Sequence, residues 1–135
     1  MTDQGLVRLA SVVVLVKGIL STLLGVVHIV VAFAYEAGKI AGQGTAEMRR
    51  DYLLWFYGVG LFIVFMGLVD IACHRGLAAR MCWAWRLSFL CAVFTTVLGV
   101  SGVAVFGASP PLLLLVTGLI GLVTLAGSKR RFCES

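Results

Sequence analysis

Charged residues are scarce in this sequence, and one long stretch has none. Asp, Glu, Lys and Arg together make up 13% of the 135 residues, whereas hydrophobic residues make up 61%. Residues 87–128 include no Asp, Glu, Lys, Arg or His. This composition, with a mean hydropathy of +1.06, excludes an ordinary soluble domain. The sequence therefore predicts a single compact domain embedded in a membrane.

Proline is nearly absent too, and its two copies are adjacent. The uncharged residues 87–128 would form a helix roughly 63 Å long, about twice the ~30 Å thickness of the hydrocarbon layer. Pro110 and Pro111 lie near the middle of this stretch, and each removes one backbone donor. Pro111 also disfavours helical geometry at Pro110. The stretch is therefore predicted to be a helical hairpin that crosses the membrane twice.

The motifs of common enzymes and metal sites are missing. The sequence has no paired intramembrane carboxylates, no Ser-His-Asp set, no phosphate-cradling loop and no H-E-x-x-H. Its four cysteines form no C-x-x-C, and no spacing of Cys and His suits zinc. We predict no catalytic residue, no metal site and no resident cofactor. The cysteines are expected to be reduced packing residues, because Cys73, Cys82 and Cys133 fall near ends assigned below to the cytoplasm.

The remaining apolar runs complete an all-α bundle of four transmembrane helices, arranged as two helical hairpins. The first run contains Lys17 and has a competing interpretation as a secretory signal, with residues 32–34 as its A-x-A cleavage site. The residues before Lys17 are themselves apolar, which favours a span. The predicted spans cover residues 6–35, 52–73, 81–106 and 112–127, and a polar loop covers residues 36–51.

Basic residues lie where the apolar runs end, which indicates membrane orientation rather than nucleic-acid binding. The net charge of +5 comes without any platform of aromatic and basic residues, so the expected partner is a bilayer with anionic headgroups. More Lys and Arg lie on the side of the two termini than on the opposite side. The positive-inside rule therefore predicts an inner (plasma) membrane protein with both termini in the cytoplasm. Trp83 and Trp85 would mark the inner interface, and the predicted outer aromatic belt consists of Tyr35, Tyr52, Trp55 and Tyr57.

Besides Arg8 at the start of the first span, three charged residues fall inside the predicted spans, all toward the cytoplasmic end. Charges at such a depth are costly and usually face the interior of the protein. Lys17, Asp70 and Arg86 should lie at similar heights, so we predict that Asp70 pairs with Lys17, with Arg86 or with both. In the alternative, Lys17 and Arg86 extend separately to the headgroups and Asp70 lies at the interface.

A polar stripe follows one face of the first span and includes His28. Such a stripe usually faces other helices. His28 is either a buried structural histidine or a functional one: a proton-transfer group, a hydrogen-bond donor to a quinone, or a haem ligand. His74 lies toward the opposite membrane face, which excludes haem ligation by both histidines of one chain. At ~100° per residue, the members of the stripe lie within roughly 40° of Lys17: Lys17 itself, Ser21, Leu24, His28 and Tyr35.

Glycines recur at a spacing typical of helix interfaces. Gly18 and Gly25 are seven residues apart in the first span, as are Gly60 and Gly67 in the second. This spacing suits left-handed antiparallel packing, and small residues let two backbones approach closely. We therefore predict that these glycines serve packing within the chain.

Several short motifs carry a family resemblance. They are Leu24-Gly25-x-x-His28 in the first span, a glycine-bearing polar loop, and Trp55-Phe56-x-Gly58 with Gly67-Leu68 in the second span. This arrangement resembles small uncharacterised bacterial four-span membrane proteins of the DoxX-like kind. The resemblance covers about half of the chain and implies a four-helix bundle, associated in some relatives with quinone-linked redox complexes. It transfers no catalytic residue.

Three functions are compatible with these patterns. The first is a non-enzymatic accessory or structural subunit that acts through helix contacts, as a homo-oligomer or within a larger membrane complex. The second is a small proton- or ion-coupled transporter or channel that uses Lys17, Asp70 and His28. The third is a quinone- or haem-associated redox subunit that uses His28 with Trp55 and Tyr57.

Overall fold

The fold is all-α, as predicted, and is built from four long helices and one short one. The computed structural model describes residues 3–38, 46–107 and 111–133. No β-strand occurs in these ranges. The helices are α1 (Asp3–Gly38), α2 (Ala46–Ala78), α3 (Cys82–Phe106), α4 (Pro111–Ser128) and α5 (Arg130–Cys133).

Each long helix contains a segment that is long and apolar enough to cross a membrane. Helices prevail in these runs because hydrocarbon offers no partner to backbone N–H and C=O groups, which a helix satisfies internally. Both α1 and α2 extend into the segment predicted as the polar loop, since a helix keeps its internal hydrogen bonds beyond the hydrocarbon. The four candidate spans are Gln4–Phe33, Leu53–Ala78, Cys82–Val105 and Pro111–Ser128.

The turns at the two ends of α3 explain where that helix begins and ends. Arg80 has a φ of 57°, in the left-handed region, and it reverses the chain between α2 and α3. At the other end, Gly107 has a φ of 85°, which glycine adopts without strain. The Gly107 N–H donates to the Val103 carbonyl at 3.0 Å and closes the last turn. The contacts of Ser11 with His74 and of Trp85 with Leu125 show that the long helices alternate in direction, so the described ends of the chain lie at one end of the bundle.

Two antiparallel hairpins, α1–α2 and α3–α4, form the most closely packed pairs of helices. A Cβ atom added at Gly18 would lie 2.8 Å from the Gly67 carbonyl oxygen, and one at Gly25 would lie 2.8 Å from that of Gly60. These distances are shorter than Cβ contacts in real structures, so the backbones of α1 and α2 meet only because side chains are missing there. The prediction that these glycines pack the chain against itself is confirmed.

The hydrophobic core lies toward the end of the bundle that holds the termini, which we call the termini end. Trp85 is 7% exposed, and its indole N–H donates to the Leu125 carbonyl at 2.9 Å. Trp85 therefore faces the interior of the bundle and not the headgroups, contrary to its predicted role, whereas Trp83 is exposed. The core residues come from every helix: Val7, Ala10, Val14, Cys73, Leu77, Ala84, Trp85, Ala92, Leu125 and Phe132.

A disulfide bond joins Cys82 to Cys133 at the termini end. The prediction that these two cysteines are free packing residues is therefore wrong. Helix α5 folds back after Ser128 and carries Cys133 to the first turn of α3, a proximity that spacing in the sequence did not reveal. Cys73 and Cys91 are free and buried, in keeping with the packing role predicted for Cys73.

Candidate functional site

A buried ion pair joins α1 to α2. The Lys17 ammonium donates a hydrogen bond to Oδ2 of Asp70, and the two side chains are 2% and 0% exposed. Gly18 makes the approach possible, because a Cβ there would lie 3.0 Å from the Asp70 Cβ. Gly121 of α4 makes room for the lysine stem, since a Cβ there would lie 2.9 Å from Lys17 Cδ. The structure thus forms the Lys17–Asp70 pair predicted from the depth of the two residues.

The surroundings of this pair are polar but incompletely bonded. Ser21 and Ser88 are buried, and the Ser88 hydroxyl lies close enough to the Asp70 carboxyl to interact with it. Within the described residues, the Ser21 hydroxyl has no hydrogen-bond partner, and Oδ1 of Asp70 accepts no hydrogen bond of standard geometry. The attraction between Lys17 and Asp70 therefore offsets most of the free-energy cost of removing their two charges from water.

Arg86 takes no part in this pair. Its side chain is exposed, and the described part of the chain shows no ion pair for it. Ser88, two residues further along α3, is buried, and a separation of two residues turns a helix by about 200°. Arg86 therefore points away from the interior, and the proposed Asp70–Arg86 pairing is wrong. Its long side chain can reach the headgroups instead.

The two histidines lie in separate environments, as predicted from their positions. His74 is near the termini end, where the Ser11 hydroxyl lies 2.8 Å from its Nδ1. His28 lies eleven residues from Lys17 along α1, or about 16 Å toward the opposite end at ~1.5 Å per residue. We call that opposite end the loop end. Lys17 and Ser21 of the predicted polar stripe are buried, while the Tyr35 side chain lies outside the described residues.

His28 stacks on an aromatic ring of α2. Its imidazole lies parallel to the Phe56 ring, with 4.4 Å between ring centroids and an interplanar angle of 8°. Gly60 permits this contact, because a Cβ there would lie 3.3 Å from Cδ2 of His28. The Nε2 atom is buried and has no hydrogen-bond partner within the described residues. His28 therefore has an unused hydrogen-bonding group inside the bundle.

A cavity of about 270 Å³ lies beside His28, and all four long helices line it. We call it the four-helix cavity. Its wall is apolar except for the imidazole, and no pattern in the sequence predicted it, because it arises where the two hairpins meet. The lining residues are Leu24, Val27, His28, Val31, Phe56, Val59, Ile63, Leu98, Gly102, Pro111 and Leu114.

The outer aromatic belt is only partly described. Trp55 is 75% exposed, so its indole reaches the surroundings of the bundle. Tyr57 is half-buried, and the side chains of Tyr35 and Tyr52 lie outside the described residues. A belt at this level therefore stays a prediction. Trp55 also lines a shallow groove on the outward face of α2, together with Leu54, Gly58, Val59 and Phe62.

These features define the class: a small multi-pass α-helical membrane protein with a buried ion pair at one level and an apolar cavity at another. The described residues contain no group of three or more His, Cys, Asp or Glu side chains that could hold a metal ion. No protein-family model, no curated protein and no solved structure matches the chain.

Proposed function

We propose that this protein is a non-enzymatic accessory or structural subunit that acts through helix–helix contacts in the membrane. The observation that carries the proposal is an open glycine on the outward face of α2. A Cβ added at Gly58 would meet nothing within 4 Å, and exposed Leu54, Trp55 and Phe62 surround it. Small residues beside large apolar ones are typical of surfaces where membrane helices approach each other.

The partner helix belongs either to a second copy of this chain or to a larger membrane complex. The other glycines that face a neighbouring helix at span depth, such as Gly18 and Gly67, are already used inside the molecule. Gly58 differs from them because its helix face is unoccupied. The groove on α2 therefore offers a close contact that Gly18 and Gly67 no longer offer.

Photo-crosslinking tests this proposal. We expect a photoreactive residue at Trp55 to give a discrete adduct, either the dimer or one larger partner, in native membranes. The same residue at Leu119, which is exposed on α4, is the matched control and should give lipid adducts only. Equal adduct patterns from the two positions, or lipid adducts from both, would contradict a specific contact on α2.

Two alternatives stay predictions with tests of their own. A proton- or ion-coupled transporter needs water to reach Asp70, whose side chain is fully buried. Flux in vesicles that disappears on Asp70→Asn would favour the transporter. A haem-associated subunit would show a Soret band after purification. The resemblance to DoxX-like proteins is compatible with an accessory role.

We also propose that the termini end faces the cytoplasm of an inner membrane. The termini end carries Arg75, Arg80 and the basic run at residues 129–131, which suit anionic headgroups. The Cys82–Cys133 disulfide lies at the same end, although thiols are normally reduced in the cytoplasm. The proposal rests on the charges, because Lys and Arg beside the ends of spans set the orientation of membrane helices.

Single cysteines placed at opposite ends of the bundle test the orientation. In a chain with its four native cysteines replaced by serine, a membrane-impermeant maleimide should label Asp51→Cys in intact cells. It should label Lys129→Cys only after the membrane is permeabilised. Both positions are exposed in the structure, so a difference in labelling between them would report the side of the membrane and not burial in the protein. The reverse pattern would place the disulfide in an oxidising compartment and overturn the assignment from charge.

A further inference from the structure

The four-helix cavity is large enough for a small ring compound. Apolar cavities of ~150 Å³ can hold benzene, and ligand pockets usually have volumes of about 300–1,000 Å³. At about 270 Å³, this cavity suits a substituted ring or two fused rings. Side chains from α1, α2, α3 and α4 would contact such a ring compound on several sides. The stacked rings of His28 and Phe56 also provide a flat aromatic wall for it.

The wall of the four-helix cavity also requires one polar group on the ligand. A buried nitrogen without a hydrogen bond is unfavourable, and Nε2 of His28 is such an atom within the described residues. The Phe56 backbone hydrogen-bonds to the imidazole, but Nε2 still lacks a partner. A neutral imidazole can accept a hydrogen bond from a hydroxyl or donate one to a carbonyl, depending on its tautomer. A saturated lipid chain has neither group and would leave the nitrogen unsatisfied.

We infer that the four-helix cavity binds a neutral, lipid-soluble ring compound with one hydroxyl or carbonyl oxygen, which hydrogen-bonds to His28. The ring fills the apolar space between the two hairpins, and the oxygen satisfies Nε2. The inference does not depend on the proposed contact at α2, because the cavity lies within one bundle. It also assigns no reaction to the ligand.

The test uses 1-naphthol and naphthalene, which share one ring body and differ by a hydroxyl. The full-length protein is placed in nanodiscs, and binding isotherms are measured from ligand fluorescence, with empty nanodiscs as the control for partitioning into lipid. We expect saturable binding of 1-naphthol, with naphthalene binding about 3- to 10-fold more weakly, as the loss of one hydrogen bond implies. Binding that never exceeds partitioning into empty nanodiscs would overturn the inference.

Nitrogen NMR locates the contact, since the chain has two histidines. With ¹⁵N-labelled histidine, 1-naphthol should shift the imidazole nitrogen resonances of His28 and leave those of His74 unchanged. His74 is a suitable internal control because it lies near the termini end and contacts Ser11. Equal shifts of both histidines, or no shift at His28, would overturn the assignment.

Two variants separate the hydrogen bond from the cavity. His28→Phe keeps a ring against Phe56 and removes the nitrogen, so 1-naphthol should bind as weakly as naphthalene does. Ile63→Phe, at a residue that lines the cavity but not the groove on α2, takes up space in the cavity and should lower the binding of both compounds by at least about 10-fold. If Ile63→Phe fails to fold, Leu114→Phe narrows the same cavity from α4. Unchanged affinity for 1-naphthol in His28→Phe, or for both compounds in a folded cavity-filled variant, would contradict the inference.

Discussion

Asp70→Ala is expected to lower the free energy of unfolding by about 3–5 kcal/mol, the usual effect of removing one partner from a buried ion pair. The substitution leaves the Lys17 ammonium without its acceptor at a position where that side chain is 2% exposed. Ser21 and Ser88 are nearby, but hydroxyl groups do not neutralise a charge. Thermal unfolding in detergent and the monodisperse yield should both fall.

The matched controls for this variant come from the same chain. Arg86→Ala removes an exposed charge with no ion pair among the described residues and should change stability by at most about 0.5 kcal/mol. The double variant Lys17→Met, Asp70→Leu removes both charges and should recover most of the stability lost in Asp70→Ala. If Asp70→Ala unfolds at the same temperature as Arg86→Ala, the buried pair does not stabilise the fold. If the double variant is as unstable as the sum of the single ones, the two residues are not coupled.

Gly67→Ala is expected to cost about 1–3 kcal/mol, because the added methyl group enters a closed interface. A Cβ at Gly67 would lie 2.6 Å from both the Gly18 carbonyl oxygen and the Thr22 backbone nitrogen. These are backbone atoms of α1, so they cannot move aside as the end of a flexible side chain would. The helices must separate instead, and thermal unfolding of the purified protein should show the loss.

Gly58→Ala is the matched control, since it makes the same substitution in the same helix. A Cβ at Gly58 would meet nothing within 4 Å. Alanine also favours helix more than glycine does, by about 1 kcal/mol in soluble helices. The Gly58→Ala monomer should therefore be at least as stable as the parent protein. Equal destabilisation by the two substitutions would show that close approach of α1 and α2 does not stabilise the fold.

The glycine contact and the ion pair belong to one interface. Gly67 and Asp70 are three residues apart in α2, on the same face of the helix, and Gly18 and Lys17 are adjacent in α1. Separating the helices at Gly67 should therefore also weaken the contact between Lys17 and Asp70. We expect the effects of Gly67→Ala and Asp70→Ala to be smaller in combination than their sum.

The number and type of the helices followed from the sequence alone. Uncharged apolar runs in lipid must satisfy the hydrogen bonds of their own backbone groups, which a helix does. The length of these runs, the positions of the charged residues between them and the adjacent prolines were therefore sufficient to predict four spans and two hairpins. The glycine spacing predicted close contact of α1 with α2 for a similar reason, because missing side chains leave space that a neighbouring backbone fills.

Which face of α3 points inward was decided only by the tertiary structure. Lipid is as apolar as the core, so hydrophobicity along α3 does not distinguish buried Trp85 from exposed Trp83. The sequence predicted a charge pair at the correct depth, but the rotation of α3 determined that Lys17 and not Arg86 is the partner of Asp70. The Cys82–Cys133 disulfide and the cavity beside His28 depend on contacts between residues distant in the chain. Such contacts come from the way the two hairpins and α5 dock, which no local pattern of residues encodes.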